Sequence, residues 1–264
     1  MIFPYKAGRF QTDLETTMSS ERFKDQTAVI TGGADGLGLA IAARLVKEGA
    51  RVWIVDRDQE LGTAAAERIG CEFEPLDVAD ETSVASTFAK IHAAAGRLDV
   101  MVNCAGIVGP NGMKIEEVPL SGFEQVQAVN VRGSFLTCRE AVRHMRPRDY
   151  GRVLLIASIA GKEGNAGMSC YSTSKAAVIG LVKAVGKEYA ETGITVNGLA
   201  PAVIRTAMVD NMAPEQVAYM TDKIPMKRCG TLDEVAAMAC WIVSIEASFN
   251  TGFTFDLSGG RAVY

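Results

Sequence analysis

From Thr27 onward, short runs of β-branched and other apolar residues alternate with longer stretches whose apolar residues recur every three or four positions. The short runs predict strands at Thr27–Thr31, Arg51–Asp56, Glu72–Leu76, Asp99–Asn103, Arg152–Ser158, Thr195–Ala200 and Phe253–Asp256. The longer ones predict helices at Gly38–Glu48, Glu60–Ile69, Glu81–Ala95, Phe123–Met145, Ser172–Thr192 and Asp233–Ser244. Most strand candidates are continuously apolar rather than alternating, which is the pattern of strands covered on both faces. Regular β-α alternation of this kind implies a parallel sheet. Seven strands with helices on both sides make one α/β, doubly wound, Rossmann-type domain.

Residues 1–24 are polar and lack clear periodicity, so they read as an N-terminal extension to a domain spanning 25–264. No repeat, low-complexity tract or Pro/Gly/Ser linker divides that domain. Its most irregular stretch, Ala202–Thr231, carries Pro214, Pro225 and four methionines. Following a strand's carboxyl end, it stands where a ligand lid would sit.

Composition narrows the chemistry. With 48% hydrophobic and 22% charged residues, the 264-residue chain has the makings of a full core. The net charge of −4 gives no positive field for nucleic acid or anionic membrane, so a small-molecule substrate is expected. There are two histidines, His92 and His144, far apart in sequence, and neither HExxH, CxxC nor GxSxG occurs. Metal-hydrolase and Ser-His-Asp chemistry are thereby disfavoured and no metal site is expected. Six scattered cysteines read as reduced packing residues, and no 18-residue apolar run or leader-like segment is present, so the expected location is cytoplasmic.

The first strand runs directly into Thr31-Gly32-Gly33-Ala34-Asp35-Gly36-Leu37-Gly38 and an amphipathic helix. Glycines there permit a sharp turn and close approach of a pyrophosphate to the helix N-terminus. Asp56 ends the second strand, about 20 residues on, where a carboxylate accepts from ribose hydroxyls and repels a 2′-phosphate. Asp35 adds a second negative charge. Both favour NAD over NADP, while Arg57 and Arg51 keep the phosphorylated cofactor open.

The T-G-x3-G-x-G spacing resembles the short-chain dehydrogenase/reductase family, and the resemblance extends over about residues 25–260. It implies adenine contacts from Asp77 and Val78, and a cofactor-side run Asn103-Cys104-Ala105-Gly106 in which Cys104 departs from the family's asparagine. It also implies a nicotinamide-covering stretch Pro201-Ala202-Val203-Ile204-Arg205-Thr206, with Ala202 in place of the usual glycine.

The candidate catalytic residues are Ser158 at a strand end and Tyr171 and Lys175 at the start of a helix. Four residues apart, Tyr171 and Lys175 share a helical face, and Ser158 stands at the same rim of the sheet. Hydride leaves an alcohol carbon only as the hydroxyl proton departs, so the site needs a base. A phenol of pKa about 10 ionises more readily beside an ammonium and a positive nicotinamide ring. Lys175 would supply that charge and hold the nicotinamide ribose; Ser158 would hydrogen-bond the reacting oxygen. Asn130 matches the family's fourth member, which resembles a residue that holds a water relaying protons from the lysine.

By position, Ile159–Met168, the stretch Ile204–Met226 and the tail near Arg261 should line the substrate pocket, with Lys162, Met168, Arg205 and Met208 as candidates and Arg228 as a further cation. The runs Ala157–Met168 and Asp256–Arg261 resemble bacterial sugar-pathway members of the family, including dehydrogenases of 2-keto-3-deoxy sugar acids. The resemblance thus implies hydride transfer between a secondary alcohol or ketone and NAD. A 3-oxoacyl carrier-protein reductase-like activity is the enzymatic alternative, and a non-catalytic dinucleotide-sensing or scaffold protein is the alternative of another class. The family also implies a homotetramer, with helices Phe123–Met145 and Ser172–Thr192 at one interface and the last helix and strand at another.

Overall fold

The computed structural model describes residues 21–206, 209 and 214–262. Seven strands, β1 (Thr27–Thr31), β2 (Arg51–Asp56), β3 (Glu72–Pro75), β4 (Val100–Asn103), β5 (Gly151–Ile156), β6 (Ile194–Pro201) and β7 (Thr254–Leu257), form one sheet in the order β3-β2-β1-β4-β5-β6-β7. Every pairing is parallel. Successive strand residues face opposite ways: Val29, Trp53, Met101 and Val153 enter one core, while Ile30, Ile54, Val102 and Leu154 enter the other. The continuous apolar runs follow from this, since each strand must fill two cores at once.

The first core is closed by α3 (Glu81–Ala95), α5 (Gly133–Met145) and α7 (Ser169–Glu188), which contribute Phe88, Leu136 and Val178. The second is closed by α1 (Gly36–Lys47), α2 (Gln59–Ile69) and α9 (Leu232–Ile242), through Ile41, Ala65 and Val235. Short elements complete the set: α4 (Leu120–Val126), α6 (Ala160–Glu163) and α8 (Pro214–Asp222). Local signals set several ends. Asp80 accepts from the N–H groups of Thr82 and Ser83 to open α3, and Thr231 and Glu234 bond reciprocally to open α9. No described helix is long and apolar enough to cross a membrane.

Two expectations change. The predicted helix Phe123–Met145 is α4 and α5 joined by a π-helical turn, Gln127–Arg132. A single π turn sits inside a continuing helical path, so the sequence pattern does not mark where the α-helical hydrogen bonding gives way. At the N-terminus, Phe23 is fully buried in the second core and its N–H donates to the Glu48 carbonyl. The folded body therefore includes Glu21–Lys24, which the sequence assigned to the extension; the rest of that expected extension, 1–20, lies outside the described residues.

The sheet order reverses beside β1, whose neighbours are β2 and β4. Such a switch point opens a crevice at the carboxyl ends of the strands. The opposite, amino-terminal end is tied by Asp99, which is 1% exposed. Its carboxylate accepts from the Thr27 N–H at 2.8 Å and from Arg97 Nε and Nη2 at 2.6 and 2.7 Å. Replacing Asp99 with alanine strands a buried strand donor, and is expected to lower unfolding free energy by about 1–3 kcal/mol, measured by urea denaturation.

Candidate active site

The crevice holds a cavity of about 470 Å³, in the range of small-molecule sites. Its wall includes Gly32, Asp35, Gly36, Leu37, Gly38, Asp56 and Arg57 at one end and Tyr171, Lys175 and Thr206 at the other. Asp77, Val78, Ala105 and Gly106 line it between them.

The glycine loop is shaped for a close-lying ligand. Gly36 has φ +55°, an added Cβ there would meet nothing within 4 Å, and the residue lines the cavity. A Cβ at Gly38 would overlap the Gly32 carbonyl oxygen, so only glycine lets α1 begin against the loop. Asp35 precedes α1 without capping it through its side chain. The first-turn N–H groups and the positive end of the helix dipole thus remain available to an anion. Asp56 Oδ2 accepts from the Ala34 N–H at 3.3 Å and Oδ1 from the Asp58 N–H at 3.2 Å. It braces the loop while keeping spare lone pairs. Open cradle, helix N-terminus and adjacent carboxylate together fit a dinucleotide.

Thr31 and Asn103 stand differently from the sequence expectation of direct cofactor contact. Both side chains are buried, and neither lines the cavity. The Ala105 N–H donates to Thr31 Oγ1 at 3.1 Å, and Thr31 Oγ1 donates to Asn103 Oδ1 at 2.8 Å. They hold the cavity wall from behind. Pro201, Val203 and Ile204 also lie off this cavity. Pro201 ends β6, Ile204 is buried beside Gly230, and Val203 lines a separate space of about 340 Å³ with Met226 and Asp256. The backbone after β6 turns away until Thr206.

At the other end, Ser158 is two residues beyond β5, its Oγ accepting from the Ala160 N–H at 3.1 Å and hydrogen-bonding to Tyr171. Lys175 Nζ is 5.6 Å from the Tyr171 ring centre and donates to the Ile156 carbonyl at 2.7 Å. Burial dominates both titrations. It pushes the Lys175 ammonium down to about 8 and the Tyr171 phenol up, with the Ser158 hydrogen bond pulling the phenol back. The sequence expectation has Lys175 lowering the phenol; in the free protein burial dominates, and the group that pulls the phenol back is Ser158.

Asn130 sits in the π turn and its side chain is fully engaged. Oδ1 accepts from the Ile107 N–H at 2.8 Å, and Nδ2 donates to the Ile107 carbonyl and to Ser174 Oγ, each at 2.9 Å. It is a strut between the segment after β4 and α7, with its carbonyl accepting from Ser134 Oγ at 2.6 Å. Any relay through Asn130 would use that carbonyl rather than the amide.

The cations expected to meet a substrate are already paired. Lys162 Nζ donates to Asp256 Oδ2 at 2.9 Å, and Arg228 forms two bonds to Glu234 at 2.9 and 2.6 Å. That guanidinium holds the Glu234 carboxyl down to about 2. Arg205 is exposed on the stretch after β6 and Met168 caps α7, while Met208 lies outside the described residues. Sequence reasoning missed Leu61, Leu76, Ile107, Val129 and Ile156, which also line the cavity; in a sequence they look like core. Cys104 lines it too, its thiol pushed up to about 12 by burial, so it is protonated at neutral pH.

Folding also brings together the two histidines: the rings of His92 and His144 pack edge to face, 4.6 Å apart. Among the described residues, no cluster of three or more His, Cys, Asp or Glu could hold a metal ion.

Fold and site define a doubly wound α/β protein with a dinucleotide-type crevice and a Ser-Tyr-Lys group at one end. A family model described as enoyl-(acyl carrier protein) reductase matches residues 32–262. The chain is 42% identical over 244 residues to the 2-dehydro-3-deoxy-L-rhamnonate dehydrogenase (NAD(+)) of a Sphingomonas species, covering 92% of this chain and 98% of that one. It is 33% identical over 243 residues to the 3-oxoacyl-(acyl-carrier-protein) reductase of Escherichia coli, covering 90% and 98%. Among solved structures, NAD+-bound xylitol dehydrogenase superposes with a TM-score of 0.85 at 27% identity, over 91% of this chain and all of that one. The chain belongs to the short-chain dehydrogenase/reductase family.

The depressed lysine has a measurable consequence. Between pH about 8 and 10.5 the unfolded chain keeps a proton on Lys175 that the folded protein has released, so stability rises with pH across that window. Below pH 8 both states are protonated and the burial penalty is fully present. Subtracting the pH profile of Lys175→Met from that of wild type, by chemical denaturation, is expected to leave a rise confined to this window.

Proposed function

We propose that the protein catalyses reversible hydride transfer between a secondary alcohol or ketone and NAD, with a sugar acid as the favoured substrate class. The observation that carries this reading is that Tyr171 and Lys175 line the same cavity as the glycine loop, with Ser158 hydrogen-bonded to Tyr171. Bound NAD would supply the carbon that accepts or returns hydride. Gly32, Gly36, Leu37, Gly38 and the start of α1 would hold its pyrophosphate, Asp56 its adenosine ribose and Lys175 its nicotinamide ribose. Asp77 and Val78 would border the adenine, with Ala105, Gly106 and Thr206 closing over the rest.

In the oxidative direction, Tyr171 Oη takes the substrate's hydroxyl proton as hydride leaves the same carbon. Ser158 donates a hydrogen bond to the oxygen that becomes the carbonyl. Because burial raises the Tyr171 phenol, ionisation at neutral pH requires added positive charge, which a charged Lys175 and a bound oxidised nicotinamide would together supply. Asn130 positions α7, and its carbonyl offers a place for a proton-relaying water.

Sugar-acid specificity is supported by the 42% identity to a relative acting on 2-dehydro-3-deoxy-L-rhamnonate. The acyl carrier-protein reductase reading rests on the 33% identical relative. Asp35 and Asp56 at the ribose end of the cavity favour unphosphorylated NAD. The test is nicotinamide absorbance with a panel of sugar acids and polyols, each with NAD and NADP, and with a 3-oxoacyl carrier-protein thioester and NADH or NADPH. Turnover of a 3-deoxy sugar acid with NAD is expected, and Tyr171→Phe is expected to lower kcat by about 10²–10⁴-fold with NADH affinity retained. Preference for NADP would overturn the reading of the two aspartates, and full turnover by Tyr171→Phe that of the tyrosine.

A homotetramer is supported by an open apolar groove of about 1150 Å³ between α4, the π turn and α7, lined by Phe123, Val131, Phe135, Gly180 and Leu181. Exposed Phe249 and Phe253, beside β7, offer a second face. A domain spanning the described chain, in the cytoplasm, accords with six cysteines that are all free thiols. Sedimentation is expected to give a tetramer, reduced to smaller species by Gly180→Glu; a stable wild-type monomer would refute the assembly.

A further inference from the structure

Two ion pairs of opposite sense tie the C-terminal end of the described chain to the turn that follows Ser158. In one, the turn supplies the cation: Lys162, its side chain 9% exposed, donates to Asp256 of β7 at 2.9 Å. In the other, the turn supplies the anion. Arg261 Nε donates to Glu163 Oε2 at 3.0 Å, and Nη2 donates to Asn165 Oδ1 at 3.0 Å, with the arginine side chain 11% exposed. Adjacent Lys162 and Glu163 thus meet Asp256 and Arg261 in a single charge register. The alternative pairing would set Lys162 against Arg261 and Glu163 against Asp256, like against like.

What the pairs hold is α6, the one-turn helix Ala160–Glu163. On its other side α6 lies against the catalytic helix: a Cβ on Gly161 would come within 2.5 Å of the Lys175 carbonyl carbon. The chain then runs through Gly164–Met168 to α7, pinned by the Asn165 N–H to Ser172 Oγ at 3.1 Å and by the Gly112 N–H to the Gly167 carbonyl at 2.9 Å. The tail reaches a third segment, since the Met226 N–H donates to the Gly259 carbonyl at 3.1 Å. Ser158 itself is anchored independently: the N–H groups on either side of it, of Ala157 and Ile159, donate to the Leu199 and Pro201 carbonyls of β6.

We propose that the Lys162–Asp256 and Glu163–Arg261 pairs form a double clamp that sets the position of Gly164–Met168, and through it the substrate side of the active site. Arg261 is thereby a positioning residue for substrate binding and not a catalytic one. The inference rests on the dehydrogenase reading above for where the substrate lies. Because the reacting groups have their own backbone anchors, loosening the clamp acts on KM more than on kcat.

The experiment compares wild type, Glu163→Arg, Arg261→Glu, the milder Arg261→Lys, and the charge-swapped double variant Glu163→Arg/Arg261→Glu. KM and kcat are measured with 2-dehydro-3-deoxy-L-rhamnonate and NAD, NADH affinity by nicotinamide fluorescence, and backbone motion by hydrogen exchange over residues 160–168. Each charge-reversing single variant is expected to raise KM about tenfold and kcat to change less than about threefold, with faster exchange in that segment. NADH affinity stays at the wild-type value, Arg261→Lys is intermediate, and the double swap returns KM and exchange toward wild type. Wild-type KM and exchange in the single variants, or no recovery in the double, would overturn the clamp. Absence of turnover by wild type would instead remove the substrate assignment, and the exchange data would still decide the clamp.

Discussion

One buried chain of hydrogen bonds joins the glycine loop to the catalytic helix, and the geometry of the site depends on it. The Ala105 N–H donates to the Thr31 hydroxyl, which donates to Asn103 Oδ1. The Asn103 amide donates to Ser134 Oγ, and that hydroxyl donates to the Asn130 carbonyl. The Asn130 amide donates to Ser174 Oγ, and Ser174 donates to the Tyr171 carbonyl. Every hydroxyl gives one proton and receives one, so the direction of each bond is fixed by its neighbours. Buried groups of this kind cost about 1–3 kcal/mol when one partner is lost, and in a low-dielectric core the bonds reinforce one another. β1, β4, the π turn and α7 therefore cannot shift independently. The π turn belongs to the same constraint, because it is where the helix delivers Asn130 between Ile107 and Ser174.

Against this rigid frame the reacting groups are held in electrostatic tension. Lys175 is buried with one carbonyl partner, and its ammonium sits at about 8 instead of 10.5. Tyr171 is pushed the opposite way by the same desolvation. Burial thus shifts both groups toward their neutral forms, although Lys175 stays mostly protonated at neutral pH; it brings the lysine closer to working pH and takes the tyrosine further from it. A positive charge arriving in the cavity would favour the phenolate against this burial.

The fold was legible because a doubly covered parallel sheet writes itself as continuous apolar runs, and each strand from Thr27 to Leu257 lies within about two residues of its predicted position. The glycine loop and the Ser158, Tyr171 and Lys175 trio were legible because their spacing within local segments is itself the signal. What resisted reading were facts of long-range partnership. Thr31 and Asn103 carry polar side chains at strand ends in either role, contact or brace, and only the fold shows that they bond each other. Lys162 and Arg228 look like free cations until Asp256 and Glu234, distant in sequence or a turn away, are seen beside them. His92 and His144 are separated by 52 positions yet pack ring to ring, because α3 and α5 lie side by side on one face of the sheet.

The same distinction separates the two ends of the cavity. The cofactor end and the acid-base groups are built from strand termini and from the buried hydrogen-bond chain, where a change in one residue strands another in the core. Beyond the carboxyl ends of β5, β6 and β7 the chain adds outer segments: the turn through α6, the stretch carrying α8, and the tail to Ala262. These segments meet one another through ion pairs with largely buried cations, Lys162 to Asp256 and Arg261 to Glu163, and a few backbone bonds, notably Met226 to Gly259. None of these contacts is a ladder bond of the sheet or a link of the buried hydrogen-bond chain, so they can change without unfolding the sheet. A tightly bonded frame carrying separable outer segments is a physical arrangement that lets one fold serve relatives named for a sugar acid and for a 3-oxoacyl carrier protein.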